Sequence, residues 1–242
     1  MNTFFDIETI PNPDLYDSFL QNAQNNFKAP SSLTKTQACA DLGLIGNDAK
    51  FTSKDDAIAL WEKKFAEEKA PEVAEENFRK CSFDGAKGRV CSIAWKVEGG
   101  EIDSVSTEHI TERQMIELFF LRLREQCGGR PPFFIGQYIA GFDLKFLFHR
   151  AVILGVRPPF ELPFNGRHGK DYFCTQQAWA GFGGRMSQDN LCKALGIEGK
   201  PDDIDGSKVW DYYKAGKIAR IEEYNRDDVL KVEHIYNRLT FR

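Results

Sequence analysis

Residues 3–10, Thr-Phe-Phe-Asp-Ile-Glu-Thr-Ile, are composed for burial as a β-strand, and Pro11-Asn12-Pro13 stops them. The elements downstream decide the class of fold around this strand. Strand character returns at Arg89–Val97; a Gly99-Gly100 turn and residues 102–107 complete a hairpin. Thr111 to Gln126 has helical spacing, with Thr111 as N-cap, Gln114 at the capping-box position and Gly128-Gly129 beyond its end. Phe133–Gly136 reads as a short buried strand, Phe142–Leu154 as a helix and Lys170–Thr175 as an edge strand. Helices are expected near 187–195, 207–215 and 218–239. Early strands, interleaved helices and a helical C-terminal part indicate a three-layer α/β protein with a mixed central sheet.

Between about 12 and 88 the character changes. Asp14–Phe27 and Asp55–Phe78 carry helical spacing, as at Ile58, Trp61 and Phe65, with dense, nearly balanced charge. Its apolar content looks thin for a separate core. The expected organisation is therefore one domain over 1–242, with a helical insertion at about 12–88 after the first strand. The insertion offers a surface for a protein partner.

The 242 residues are 42% hydrophobic and 28% charged, which excludes a disordered chain and a collagen-like repeat. No apolar run approaches membrane-spanning length, and the opening residues lack a basic region and an apolar leader, so a soluble, cytoplasmic protein is expected. The six cysteines are scattered singly without metal-ligand spacing, as reduced structural thiols would be. A net charge of −4 argues against coating nucleic acid by charge alone. It leaves open an enzyme that meets phosphates through bound cations.

Asp6 and Glu8 flank Ile7, so period 2 points both carboxylates to one face of the first strand. With 36 acidic residues in the chain the pattern alone means little, and a strand end reaching solvent would explain it. Its place in a segment built for burial makes it notable. The C-terminal helix carries the apolar stripe Ile221, Tyr224, Val232, Ile235, Leu239, with Asp228 standing where an aliphatic residue belongs. A carboxylate there is costly unless paired or bound to metal, whereas its neighbour Asp227 suits a solvated acid. Tyr224 shares the face of Asp228, one turn before it. Asp143 begins the helix after the Phe133–Gly136 strand. Helix-terminal complementation accounts for it, and so does a place at the carboxyl edge of a sheet, where α/β proteins build sites. Four acids in one pocket would repel by several kcal/mol at ~4 Å unless divalent cations intervene. Oxygen-only ligands favour Mg²⁺ or Mn²⁺, and two such ions suit in-line attack on a phosphodiester.

Three motifs in order, Phe-Phe-Asp6-Ile-Glu8-Thr, Gly136-x-x-x-x-Gly141-Phe142-Asp143-Leu144 and Tyr224-Asn-Arg-Asp-Asp228-Val229, resemble the exonuclease motifs of the DEDD superfamily. The tyrosine indicates its DEDDy branch. The chain is similar to stand-alone 3'–5' exonucleases related to the proofreading domain of family B DNA polymerases. Leu191–Gly196 and Asp205–Trp210 share the likeness, which covers 1–11 and about 85–242. The resemblance implies a ribonuclease H-like fold. It implies Asp6, Glu8, Asp143 and Asp228 as ligands of two Mg²⁺ or Mn²⁺ ions, Asp6 bridging both, and Tyr224 orienting the attacking water and helping to deprotonate it. DNA is the expected partner, with ribonuclease D-like action on RNA and a catalytically degenerate binding or subunit module as alternatives; no membrane is implicated. One departure stands out: where the family has Asn, often after His, this chain has Gln137-Tyr138. Expected substrate contacts are Thr9, Tyr138, Phe142 and Arg167, the last in the basic loop 165–170, which an ordinary surface loop would equally explain. Tyr138 either offers a stacking face at the mouth of the site or turns into the core.

Overall fold

The computed structural model describes residues 1–199 and 201–242. It comprises two compact units, Met1–Pro11 with Cys81–Arg242, and Asn12–Lys80. In chain order, β1 (Asn2–Pro11) is followed by helices α1 (Tyr16–Asn25), α2 (Lys35–Leu42), α3 (Gly46–Phe51) and α4 (Lys54–Arg79). Then come β2 (Gly88–Val97), β3 (Ile102–Ser106), α5 (Glu112–Gln126), β4 (Phe133–Gly136), α6 (Asp143–Leu154) and β5 (Tyr172–Cys174). Helices α7 (Thr175–Ala180), α8 (Gln188–Leu195), α9 (Val209–Lys214) and α10 (Ile218–Leu239) complete the series.

The sheet has the order β3-β2-β1-β4-β5. β2 runs antiparallel to β1 and β3 antiparallel to β2, while β4 runs parallel to β1 and β5 to β4, so the first strand lies at the centre of a mixed sheet. Period-2 alternation sorts its side chains between two layers. Phe5 and Ile7 pack with Ile93 and Trp95 against Met115, Phe119 and Leu123 of α5 and Leu144 and Leu147 of α6. On the other face Phe4, Ala94 and Ile135 meet Val229, Val232 and Tyr236 of α10, and Ile10 meets Ile221 and Tyr224. This is the expected three-layer α/β arrangement.

Two irregularities in β1 pairing shape the site. The register with β2 slips between Glu8, opposite Ser92, and Thr9, opposite Val90, leaving Cys91 as the extra residue of a bulge. The bulge turns Cys91 toward Ile10 and Tyr224, where its thiol donates to the Glu8 carbonyl at 3.4 Å. Burial pushes that thiol well above its usual range, and all six cysteines are buried and unbridged. The second irregularity is the brevity of β4, which pairs with β1 only at Asn2, Thr3 and Phe4. Beyond Phe4 that flank of the central strand has no strand partner among the described residues.

The capping box on α5 forms as expected: Thr111 Oγ1 accepts from the Gln114 amide at 3.3 Å, and Gln114 Oε1 accepts from the Thr111 amide at 3.0 Å. Residues 12–80 hold the expected helices and, thin as their apolar content is, a small core of their own. Ala38, Cys39, Ala57 and Trp61 are buried there, Trp61 packs on Phe27 and Phe65, and its indole donates to Asp41 at 2.8 Å.

A buried ion pair ties α5 to α6. Arg150 grips both oxygens of Glu112 at 2.8 Å, and Glu112 Oε1 also accepts the Val90 amide of β2 at 2.8 Å. Arg150 Nη1 donates to the Gly85 carbonyl at 3.1 Å. Bidentate geometry with every oxygen engaged offsets the desolvation of both ions, but removing one partner strands the other. Arg150→Met is expected to lower unfolding free energy by about 3–5 kcal/mol. The double variant Arg150→Met/Glu112→Leu should recover part of that loss in urea melts. A single-variant loss below about 1 kcal/mol would show that the pair is not needed.

Candidate active site

The even-numbered face of β1 reads Phe4, Asp6, Glu8, Ile10, so two acids sit where the packing pattern calls for apolar side chains against α10. Asp228 comes from α10 itself, only 3% exposed. Asp6, Glu8 and Asp228 each present an oxygen within 4.8 Å of the other two. Asp228 stands more than 200 positions from the two strand acids and meets them because α10 lies across β1 and β2. An all-oxygen donor set of this kind is suited to Mg²⁺ or Mn²⁺.

Asn225 holds the crossing. Fully buried one residue after Tyr224, it donates from Nδ2 to Asp6 Oδ2 at 2.7 Å, and its Oδ1 accepts from Ser92 Oγ at 2.9 Å. One amide thereby joins α10, β1 and β2. Sequence reasoning missed it, although the signal was present: Asn225, Val229, Val232 and Tyr236 form a second inward stripe with a polar residue at its head. Gln188 at the start of α8 donates to the Asp228 carbonyl at 2.8 Å and fixes the same turn of α10.

Asp143 arrives from the opposite layer. It is the first residue of α6, where its carboxylate accepts its own amide. Asp143 Oδ1 also accepts the Ile7 amide at 3.2 Å, on the flank of β1 that β4 leaves open. This places Asp143 at the peptide linking Asp6 to Ile7. Burial raises its carboxyl to about 7, against opposing backbone hydrogen bonds, and Asp228 nearby adds to the rise.

Tyr224 is buried beside these groups with its hydroxyl hydrogen-bonded to Asp228. Burial, then the charges of Glu8, Asp228 and Asp6, push the phenol far above its usual range, so it keeps its proton in the metal-free protein.

The expected substrate contacts are scattered more widely. Thr9 spends its hydroxyl proton on the Ser82 carbonyl at 2.7 Å. Phe142 is half-buried against Phe146 and Phe83, facing a cavity that Lys145 and His149 also line. Arg167 is exposed in the turn before β5, its amide donating to Asp171 at 2.7 Å; none of its hydrogen bonds among the described residues reaches the acids. Tyr138 is 52% exposed and stands outside the core. Its neighbour Gln137 turns inward, donating to the Met186 carbonyl at 2.6 Å and accepting from Thr175. The unusual pair thus splits into a structural glutamine and an exposed tyrosine.

Comparison with known proteins agrees with this architecture. No curated protein matches the chain. Among solved structures it is similar to the family B DNA polymerase of the hyperthermophilic archaeon Pyrobaculum calidifontis, with TM-score 0.51 and 21% identity over 65% of this chain. The likeness spans 22% of the polymerase and concerns the fold, which is ribonuclease H-like. Residues 86–241 match a family model described as a predicted 3'–5' exonuclease related to the exonuclease domain of PolB. Asp6 and Glu8 precede the matched segment, and the fold brings them beside Asp228 within it. The chain belongs to this family of predicted 3'–5' exonucleases related to the exonuclease domain of PolB.

Proposed function

We propose that the protein is a divalent-cation-dependent exonuclease that hydrolyses single-stranded or frayed 3' ends of DNA by a two-metal mechanism. The observation that carries this reading is the convergence of Asp6, Glu8 and Asp228 within 4.8 Å, with Asp143 at the adjoining peptide, in a chain of an exonuclease family. Asp6, Glu8, Asp143 and Asp228 would hold the ions. Bound cations supply charge neutralisation among the carboxylates, an activated water and stabilisation of the departing 3'-oxygen.

The chain's own groups do the rest. Tyr224, tied to Asp228, orients the attacking water on the side of the phosphate opposite the leaving oxygen. As the water oxygen bonds to phosphorus and gives up a proton to solvent, the bond to the preceding 3'-oxygen breaks, that oxygen takes a proton from solvent, and a nucleoside 5'-monophosphate departs. Tyr138 offers a ring face to the terminal base, a contact worth ~1–3 kcal/mol and indifferent to base identity. Incubation with 3'-labelled single-stranded DNA and RNA, with and without Mn²⁺, tests the reading. Mn²⁺-dependent release of labelled mononucleotide from DNA is expected; faster release from RNA would reassign the substrate, and release from neither would overturn the activity.

The crowding of acids has measurable consequences. Asp228→Asn should cut nuclease activity at least ~100-fold while metal-free thermal stability stays level or rises, because one of several like charges is gone and the backbone bond to Gln188 remains. Lost stability with full specific activity would make Asp228 structural.

In the metal-free protein Asp143 keeps a proton up to about 7, whereas unfolded it releases one near its usual value of about 4. Between those values the folded state binds more protons, so its stability should fall as pH rises from about 4 to 7. Melts in chelator across that window should show the decline, and Asp143→Asn should flatten it.

Tyr224→Phe should slow turnover by about 10²-fold with Mn²⁺ affinity nearly intact, measured by calorimetric titration beside steady-state kinetics. Unchanged turnover would leave Tyr224 a packing residue.

A further inference from the structure

The sheet fixes the backbone of Asp6 but not its carboxylate. Asp6 stands opposite Ala94 of β2, whose methyl group offers no polar contact, and the pairing of β4 with β1 stops at Phe4. Glu8 and Asp228 are buried, whereas Asp6 is only half-buried and has room to turn. Repulsion from the other two acids favours any staggered rotamer that takes its oxygens away from them.

The Asn225 amide opposes that rotation. Its Nδ2 donates to Asp6 Oδ2 at 2.7 Å, the length of a hydrogen bond strengthened by charge. An ionised carboxylate only accepts, so the nitrogen and not the oxygen of the amide must face it. Oδ1 is thereby turned to Ser92, whose hydroxyl donates to it at 2.9 Å. Both Asn225 and Ser92 are wholly buried, so solvent does not compete for either bond. Ser92 is also the residue opposite Glu8 in the β1–β2 ladder, so this chain of hydrogen bonds begins beside one acid and ends on another. A neutral donor suits the task. It takes one of about four lone-pair sites on the carboxylate and leaves the negative charge that a cation needs, which a lysine or arginine in its place would cancel.

We infer that Asn225 is a positioning residue for the cleavage reaction: aimed by Ser92, it holds the Asp6 carboxylate turned toward Glu8 and Asp228, in the pose that receives the divalent cations. The inference rests on the exonuclease reading above and adds to it the group that sets one of the metal-binding acids. It is a role apart from clamping α10 to the sheet, and the two separate by experiment, because a clamp is read in melting temperature and a set carboxylate in metal affinity.

The test compares the wild-type chain with Asn225→Ala, Ser92→Ala and the double variant. Mn²⁺ affinity is measured by calorimetric titration, Tm in chelator, and kcat and KM on an oligothymidylate at saturating Mn²⁺. Asn225→Ala should weaken Mn²⁺ binding about 10- to 100-fold and lower kcat at least ~10-fold, with KM within about twofold. Ser92→Ala should weaken Mn²⁺ binding less, by about threefold or more, and the double variant should lose no more than Asn225→Ala alone, since Ser92 acts through the amide. Variants that lower Tm but keep Mn²⁺ affinity within about twofold of wild type would overturn the inference and leave Asn225 a clamp. So would a Ser92→Ala loss that persists in full without Asn225, or a wild-type chain that binds no Mn²⁺. Should Asn225→Ala fail to fold, the Mn²⁺ affinity of Ser92→Ala decides by the same criterion. If the wild-type chain binds Mn²⁺ but releases no mononucleotide, the exonuclease reading fails, and the affinities still decide the role of Asn225.

Discussion

Three carboxylates whose oxygens lie within 4.8 Å of one another would spread apart in any chain free to move. At the effective dielectric of a protein site each pair repels by about 3–4 kcal/mol, a large fraction of the stability of a whole domain. The fold confines them by placing each on an element that cannot yield. Asp6 and Glu8 lie in the central strand, laddered to β2 along its length. Asp228 lies on a 22-residue helix that buries Ile221, Val229, Val232, Ile235 and Tyr236, each contributing about 1.5–3 kcal/mol. The Asn225 amide then fixes where that helix crosses the strand. The site is a strained charge cluster held by an ordinary apolar core.

Legibility in the sequence tracks locality. The two acids in β1, the misplaced acid in the α10 stripe and the capping box on α5 are periodicities within one element, and each has the structure its period implies. The strands and helices of the α/β frame were legible for the same reason. Asn225 was not, because its partners Ser92 and Asp6 stand 133 and 219 positions away and only the crossing of α10 makes it a hub. The Cys91 bulge is a mismatch between two strands and has no signature in either one. The ion pair of Glu112 and Arg150 looks in sequence like two more charged residues on helices. The use of Asp143 was half legible: its position at a helix start was plain, but the Ile7 amide it serves is exposed by the shortness of β4, a property of another element.

The segment 12–80 interrupts the sheet-bearing unit immediately after its most important strand. Nevertheless, the two sides of the interruption are joined at the root: Thr9 Oγ1 donates to the Ser82 carbonyl at 2.7 Å, and Pro11 pairs with Gly88. A closed root of this kind costs chain entropy that grows only slowly with the length between its ends, about 0.6 kcal/mol for each doubling. The unit that carries the acids therefore tolerates a large excursion there without losing the pairing of Glu8 with Ser92.

Because β1 is the middle strand, its position also dictates when the protein can become itself. On the ribosome β1 is made before every partner it needs: β2 first, then β4, and α10 last of the three. Until α10 emerges, the face bearing Phe4, Asp6, Glu8 and Ile10 has no cover, and the nascent sheet exposes both apolar side chains and mutually repelling charge. Contacts this distant in sequence form slowly. A chain stalled before α10 would thus be unable to assemble the acidic centre at all, so the order of synthesis itself keeps an incomplete sheet from acquiring a working site.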